Sequence, residues 1–357
     1  MAKCTLSIVL DPEREAYALG EVISGSVRVT VDSDCSCNAL NLALRWETHG
    51  RGNRTHGPES VQTLFRGTWR AGEEHAYPFS FEIPPGPVTY HGHLLNVDYF
   101  LRATADIPWA IDPKAERDFL VVAPPDGSLV LTGAESDPQH THSLETWQDL
   151  QAGAGAAAVF AGVVLLCVGL GLLLVGGNLL VSAEPVEWFY VAVGGLLSAL
   201  GAGALYFGLR NRLAERKLGP VAVELRPRRV PPGGVLQATI HFTPRTSLHL
   251  NRVRVRLRGT EVVVSGSGTN KTTHSHDLFS EVATLHEGGP VLAGEAQRLE
   301  CQFALPPSAP LSFRAPGNSL RWNAVFHVDV AHWPDWSQQV PLLVLPPAEQ
   351  EEVPAPL

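Results

Sequence analysis

The chain has 357 residues, of which 45% are hydrophobic and 18% are charged, and its formal net charge at pH 7 is −9. This length exceeds that of a typical single domain, and the apolar content is sufficient for more than one packed core. Binding to nucleic-acid phosphates needs clustered Lys and Arg side chains, so the acidic balance argues against a nucleic-acid partner.

Residues 1–123 predict an antiparallel β-sandwich. Short segments of alternating apolar and polar residues are separated by Gly and Pro, and the alternation is strict at Leu40, Leu42 and Leu44. Such alternation is typical of strands that bury one face. The following residues, 124–151, are polar and rich in turn-forming residues, and we interpret them as a linker that leads to a membrane.

Residues 152–209 predict a two-helix transmembrane hairpin. Residues 152–181 and 189–209 contain no charged side chain and no histidine. Each run is long enough for a helix that crosses a bilayer core, which needs roughly 20 apolar residues. Two spans place both flanks on the same side of the membrane. Because transporters and proton pathways normally need an ionisable residue inside the membrane, the sequence argues against those classes.

Both predicted spans carry small residues at helical spacing, which allow membrane helices to approach closely. The residues predicted to pack the helices are Gly162, Gly169, Gly195, Ala199 and Gly203. In the simplest interpretation, the two helices of one hairpin pack on each other. The alternatives are a homodimer formed through the hairpin and docking on another membrane protein.

Residues 210–218 form a basic segment directly after the second span. Arg210, Arg212, Arg216 and Lys217 lie there, whereas the loop between the spans has two glutamates and neither Lys nor Arg. The positive-inside rule therefore predicts that both termini are cytoplasmic. The predicted protein is a two-pass integral protein of a plasma membrane or an inner membrane.

Residues 219–347 repeat the pattern of the first flank. Residues 22–29 match residues 235–242, and residues 38–45 match residues 251–258, in both cases at an offset of 213. A repeat of this length indicates one fold used twice.

The predicted fold is therefore mainly β, with two tandem antiparallel β-sandwiches that flank a transmembrane α-helical hairpin. Immunoglobulin-like sandwiches of about seven strands fit the length of each flank. The tail, residues 348–357, is acidic and rich in Pro, and this composition predicts disorder.

Five segments of the first flank carry a family resemblance. They are residues 17–27, 40–44, 77–84, 89–92 and 97–103. These segments resemble the N-terminal half of the arrestin fold, which arrestins share with a retromer subunit and with Spo0M-like bacterial sporulation-control proteins. The second flank resembles the C-terminal half less closely. The resemblance implies two arrestin-like sandwiches, while the hairpin between them and the lack of a Pro-Pro-x-Tyr motif depart from the family pattern.

Three tryptophans are candidate partner-binding residues. Trp109 and Trp333 lie at points that the repeat predicts to be equivalent, each beside a proline, and Trp336 follows the second of them. Trp is favoured at the energetic centre of protein interfaces. The alternative is that these side chains lie at the edge of the core.

The sequence predicts no catalytic, cofactor-binding or metal-binding residue. It lacks a Gly-x-Ser-x-Gly nucleophile elbow and a Gly-rich phosphate loop. It does contain three His-x-His pairs, which are His91 and His93, His140 and His142, and His274 and His276. On a strand, such a pair shares one face and is able to supply two metal ligands. Because the sequence shows no third ligand, solvated loop histidines are the simpler interpretation.

The sequence thus predicts a non-enzymatic, membrane-tethered scaffold or adaptor that uses no cofactor and binds membrane-associated protein partners at the cytoplasmic face. We expect binding through loops, or through an exposed sheet edge to which an extended peptide adds a strand. One alternative is an envelope structural or adhesion protein with the sandwiches outside. Another is a metal-dependent sensor or enzyme that uses the His-x-His pairs.

Overall fold

The computed structural model describes residues 3–124, 130, 144–179 and 185–347. Helical side chains are described for residues 156–175 and 189–218. The predictions for the tail and for most of the linker, including His140 and His142, lie outside the described residues.

The N-terminal half (residues 3–124) is a β-sandwich, as predicted. Its described strands are β1 (Cys4–Leu10), β2 (Ala16–Ala18), β3 (Val22–Val31), β4 (Cys35–Gly50), β5 (Thr55–His56), β6 (Ser60–Trp69), β7 (Glu74–Glu82), β8 (Tyr90–His91), β9 (Leu95–Asp106) and β10 (Lys114–Val122). One sheet has the order β1-β3-β7, and the other has the order β2-β10-β9-β4-β5, with β6 paired to β4 and β8 paired to β9. The pairing of β2 with β10 is parallel.

Two long helices follow, α1 (Leu144–Leu179) and α2 (Pro185–Leu218), and they pack on each other. Ala156–Val175 and Phe189–Leu218 are long and apolar enough to cross a membrane. Only 11% of the most apolar window of each helix is buried, whereas the core helix of a soluble protein is mostly buried. Both helices extend beyond the predicted spans on the side of the sandwiches, because an apolar run marks only the part of a helix that suits lipid.

The C-terminal half (residues 219–347) repeats the topology of the N-terminal half. Its described strands are β11 (Val221–Arg226), β12 (Arg229–Val230), β13 (Val235–Phe242), β14 (Leu248–Ser265), β15 (Thr272–His286), β16 (Gly289–Val291), β17 (Gln297–Ala304), β18 (Phe313–Ala315), β19 (Asn318–Val330) and β20 (Trp336–Val344). The small sheet has the order β11-β13-β17 and the large sheet has the order β12-β20-β19-β14-β15, with β16 on β14 and β18 on β19. The prediction of two sandwiches flanking two helices is confirmed.

The long strands alternate apolar and polar residues as predicted, and their apolar side chains fill both cores. The inward-facing side chains of β4 and β14 are fully buried, among them Leu40, Leu42, Leu44, Val253, Val255 and Leu257. The cores also meet, because Val263, Phe313 and Leu320 of the C-terminal half pack into the core of the N-terminal half. Trp46 meets the ring of Phe313 edge-on, with 6.1 Å between the ring centres. The two halves are therefore joined by continuous apolar packing.

Candidate functional site

The end of α2 is part of the C-terminal half. Ala214 and Leu218 are fully buried in the core of that half. These residues are four apart, so they lie on one face of the helix. The basic segment that the sequence places after the second span therefore forms the last turns of α2, and it continues the helix directly into the sandwich.

Asn211 covers an open sheet edge at this junction. β12 pairs with β20 only at Leu343 and Val344, which leaves the beginning of β20 without a strand on the edge that faces away from β19. The Asn211 Nδ2 donates to the Ser337 carbonyl oxygen at 2.7 Å, and the Ser337 N–H donates to Asn211 Oδ1 at 3.2 Å. The side-chain amide thus takes the place of a paired strand and satisfies backbone groups that an open edge would expose.

Trp333 and Trp336 hold the same helix. The Trp333 indole N–H donates to the Leu213 carbonyl oxygen at 2.8 Å, and the Lys217 ammonium lies 4.2 Å from the centre of the Trp333 ring. The Trp336 indole N–H donates to Glu215 Oε1 at 3.0 Å, and Trp336 is only 1% exposed. The interpretation of Trp336 as an exposed anchor is therefore wrong, because the side chain fills the core beneath α2.

Trp109 has the opposite environment, with a relative exposure of 104%. It lies in the loop between β9 and β10, which we call the N-loop (residues 107–113), and its backbone is left-handed, with φ of 62°. An aspartate defines this loop, because Asp112 Oδ1 accepts a hydrogen bond from the Ile107 N–H at 3.1 Å. Ile111, beside Asp112, is 71% exposed. The role of Trp109 in partner binding stays a prediction.

The corresponding loop between β19 and β20 is the C-loop (residues 331–335). Its geometry shows that Trp109 and Trp333 are not equivalent in the repeat, although the sequence predicts that they are. Asp335 Oδ1 accepts from the Val330 N–H at 3.4 Å, and His332 is left-handed, with φ of 54°. The counterpart of Trp109 is therefore His332, and Trp333 lies one residue further along. Spacing from the neighbouring prolines misses this shift, whereas the aspartate that closes each loop would have revealed it.

The helix–helix contact corrects the predicted small-residue stripe on α2. Gly162 and Gly169 on α1 do lie at the contact, since a Cβ on Gly169 would be 2.5 Å from Ser198 Oγ. On α2 the contact residues are Gly194 and Gly201, where a Cβ would come within 2.8 Å and 2.6 Å of α1 backbone atoms.

The predicted residues of α2 lie on its other side. A Cβ on Gly195 or Gly203 meets no atom within 4 Å, and Ala199 is exposed. Small residues occur side by side in this helix, so their spacing does not determine which of two adjacent faces meets α1.

Glu261 is a buried carboxylate between the two halves that the sequence analysis did not single out. It lies on β14 and is fully buried. Its Oε1 accepts from the Tyr90 hydroxyl at 2.5 Å and from the His93 N–H at 3.0 Å, and its Oε2 accepts from the Leu94 N–H at 2.7 Å. Burial, reinforced by the bond to Glu261, holds the pKa of Tyr90 far above its usual value. Tyr90 therefore remains a donor to Glu261 throughout the physiological range.

A second contact between the halves joins a side chain of the C-terminal half to residues of the N-terminal half. Asn318 at the start of β19 donates through Nδ2 to Thr48 Oγ1 at 3.1 Å and to the Asn53 carbonyl oxygen at 2.7 Å. Thr48 is fully buried on β4 and is the counterpart of Glu261 at the repeat offset. In each half, residues at or just before the start of the long strand β9 or β19 therefore bond to a buried polar side chain of the other half. Buried polar groups that are fully bonded in this way fix one relative arrangement of the parts.

Two of the three histidine pairs lie among the described residues, His91 with His93 and His274 with His276. Among the described residues, no group of three or more His, Cys, Asp or Glu side chains is arranged to hold a metal ion. His91 Nε2 lies 2.6 Å from Asp98 Oδ1, while His49 contacts the other oxygen of Asp98. His93 instead stacks on His276, with 3.9 Å between the ring centres. Asp98 is thus engaged by two imidazoles.

Comparison with known proteins supports the fold. A family model described as "Arrestin (or S-antigen), N-terminal domain" matches residues 62–128, which run from β6 to beyond β10. The same strand order occurs in both halves. The fold is arrestin-like. No curated protein sequence matches this chain significantly.

One solved structure that resembles part of this arrestin-like chain is the crystal structure of Spo0M, a sporulation control protein from Bacillus subtilis. The sequence identity is 23% and the TM-score is 0.30. The match covers 35% of this chain and 51% of Spo0M, so the chain spans about half the length of that protein.

Proposed function

We propose that this protein is a non-enzymatic scaffold or adaptor that a transmembrane hairpin tethers to a membrane. The observation that carries the proposal is the continuity of α2, which contains the apolar run of residues 189–209 and ends inside the core of the C-terminal half. A helix that served only as a flexible anchor would need no such contact. Asn211 of α2 bonds to the sandwich, and Trp333 and Trp336 of the sandwich bond to α2. These hydrogen bonds fix the sandwich relative to the helix.

The proposed orientation places both halves in the cytoplasm, at a plasma membrane or an inner membrane. Arg210, Arg212 and Arg216 are exposed at the end of α2. Positive residues next to a span favour the cytoplasmic side. An outward orientation would point instead to the envelope structural or adhesion role.

The proposed partners are membrane-associated proteins, and the N-loop is the surface we expect them to contact. Trp109 and Ile111 are exposed together there, and an exposed Trp is favoured at interface centres. A homodimer is a second proposed assembly. In it, the face of α2 that carries Gly195, Ala199 and Gly203 would meet a second hairpin, since close approach needs small residues.

A photo-crosslinking residue at position 109 tests the adaptor role in native membranes. The full chain should crosslink to one or a few specific membrane proteins, and a photo-crosslinker at the exposed position Val61 serves as the matched control. A chain that lacks residues 152–209 but keeps residues 210–218, whose side chains complete the C-terminal core, should be soluble and should lose those products. Equal products in solution would show that tethering is not the mechanism, and no specific product from position 109 would contradict the adaptor role of the N-loop.

A further inference from the structure

The outer face of the large C-terminal sheet carries a row of arginines on β14. Because Val253, Val255 and Leu257 point into the core, the residues between them point outward. The outward residues are Arg252, Arg254, Arg256 and Arg258. A row of four like charges on one strand is unfavourable unless anions balance it.

The middle two arginines of this row lack acidic partners. Arg258 pairs with Asp277 at 2.5 Å, and Arg252 lies 4.0 Å from Glu287. Throughout the part of the chain that the structure describes, no carboxylate lies within 4.0 Å of Arg254 or Arg256. Arg256 is exposed and Arg254 is half-buried. Both guanidinium groups are therefore available to an external anion.

The row lies close to the point where α2 enters the sandwich. Arg254 pairs with His327 on β19, and His327 pairs with Ser337 on β20, to which Asn211 of α2 is bonded. Two strand spacings separate Arg254 from Ser337, a distance of about 10 Å. The sheet register thus connects the arginine row directly to the end of the apolar span.

The environment of His327 supports this proximity. Burial lowers the pKa of its imidazole below the ordinary value, and Asp335 opposes this shift. Arg254 and Arg210 also lower the pKa, so both arginines act on the same ring. Arg210 is the first residue after the apolar run.

Two described acidic groups near this surface, Asp329 and Asp335, already have partners. Asp329 accepts from Asn251 Nδ2 at 2.7 Å, and Asp335 accepts from the Val330 N–H and lies 3.4 Å from His327 Nε2. The wider charge distribution has the same sign as the row. Residues 210–347 contain 16 Lys and Arg against 10 Asp and Glu, whereas residues 1–123 contain 11 against 16. The half that is fused to α2 is thus the basic one.

The height of this surface above the bilayer follows from helix geometry. Asn211 is two residues beyond the apolar run, which corresponds to about 3 Å along the helix axis. The headgroup layer extends roughly 5–7 Å beyond the hydrocarbon core on each side. The contact between Asn211 and Ser337 therefore falls within the headgroup layer if α2 spans the membrane. Arg254 is within about 10 Å of that contact whatever the tilt of the sheet.

We propose that Arg254 and Arg256, together with Arg210, bind the phosphate groups of anionic lipids and hold the C-terminal half against the membrane surface. This inference rests on the proposed function, because it requires the hairpin to span the bilayer. Guanidinium groups pair well with phosphate oxygens, and basic residues next to a span attract anionic headgroups. The proposed ligand is a lipid headgroup and not a soluble phosphate, because Arg210 directly follows the apolar run and Arg254 lies within about 10 Å of the contact between Asn211 and Ser337.

The test reconstitutes the full chain into phosphatidylcholine vesicles that contain a minority of phosphatidylglycerol. The protein is then extracted and purified, and mass spectrometry measures the ratio of the two lipids that it retains. The double variant Arg254→Gln/Arg256→Gln is compared with Arg226→Gln/Arg228→Gln. The control removes two exposed arginines from the far end of the half, since the Arg228 carbonyl oxygen accepts from Leu343, about 20 Å along β20 from Ser337.

We expect the wild-type chain and the control to retain phosphatidylglycerol well above its share of the bilayer. The Arg254→Gln/Arg256→Gln variant should lose this preference by a factor on the order of ten. An equal preference in all three proteins would overturn the proposal, as would displacement of the lipid by soluble glycerol 3-phosphate. If the double variant does not fold, the single exposed change Arg256→Gln gives the same test with a smaller fall.

Extraction with alkaline carbonate separates this inference from the proposed function. Release of the wild-type chain from the vesicles would show that the hairpin does not span, and the proposed function itself would fail. A chain that stays in the membrane without any preference for phosphatidylglycerol would remove only the lipid site.

Discussion

The N-loop and the C-loop share a backbone and differ in what they contact. In each loop, an aspartate accepts a hydrogen bond from a backbone N–H at the end of the preceding long strand, that of Ile107 or Val330. Two residues after that N–H lies a residue with a left-handed backbone, Trp109 or His332. The C-loop contacts α2 through Trp333. The side chain of Trp109 is fully exposed.

One end of an arrestin-like sandwich is therefore able to hold a helix, and among the described residues the C-terminal half does so. In the C-terminal half, the loop and the adjacent open edge of β20 bind α2. In the N-terminal half, the same end presents an aromatic side chain to its surroundings. In the proposed function, the C-terminal half faces the membrane and the N-terminal half recognises a partner.

The largest expected effect separates the tryptophans of the two ends. Trp336→Ala should destabilise the protein by about 3–5 kcal/mol, because it leaves a cavity in the core under α2. Trp109→Ala should change stability by less than about 0.5 kcal/mol, as exposed substitutions usually do. Denaturant unfolding of both variants in detergent measures the difference, and similar losses in the two variants would mean that the N-loop is also packed.

The next effect concerns the contact between the halves. Glu261→Ala should cost about 3 kcal/mol, because it leaves the Tyr90 hydroxyl and two backbone N–H groups buried without an acceptor. Thr48→Ala at the counterpart position should cost less, about 1–2 kcal/mol, since it removes the bonds that one neutral hydroxyl makes to Thr55 and Asn318. The same unfolding experiment measures both, and Glu287→Ala, which changes an exposed carboxylate, is the control. If Glu261→Ala behaved like the control, the interface would not be closed in solution.

A pair of adjacent glycines tests the corrected face of α2. Gly194→Val should destabilise the packed hairpin by about 1–3 kcal/mol, because the side chain would overlap the backbone of α1. Gly195→Val should have little effect on a single hairpin, since its Cβ would meet no atom within 4 Å. Thermal unfolding in lipid discs compares the two. A loss of self-association in Gly195→Val alone would instead support the homodimer.

The smallest expected loss of stability comes from removing the Asn211 side chain at the open edge of β20. Asn211→Ala should cost about 1 kcal/mol and expose the Ser337 N–H. Hydrogen exchange at Ser337 should become faster in Asn211→Ala and stay unchanged in Arg212→Ala, which alters a neighbouring exposed residue. Unchanged exchange in Asn211→Ala would show that another group covers the edge.

The fold was largely predictable because two of its signals are local. Strict alternation at Leu40, Leu42 and Leu44 fixes which face of β4 is buried, and uncharged runs reveal helices that suit a membrane. The repeat offset extended the first prediction to the second half.

The candidate site was less predictable, because it depends on contacts between distant segments. Asn211 looks like one more polar residue beside a membrane span until β20 is placed next to it. Glu261 did leave a signal, since it occupies an inward position in the alternation between Leu257 and Val263. A charged residue at such a position indicates a buried and bonded carboxylate. The shift between Trp109 and Trp333 was detectable only from Asp112 and Asp335.

Protease protection in sealed, oriented vesicles tests the central claim, that α1 and α2 span the membrane and hold both arrestin-like halves at its cytoplasmic face. With the cytoplasmic face outward, added protease should digest tags at both termini and leave a protected fragment that contains both apolar spans. Protection of both tags would place the halves on the opposite side and favour the envelope role. Protection of only one tag would show that one of the two helices does not cross, and the tethering account would fail.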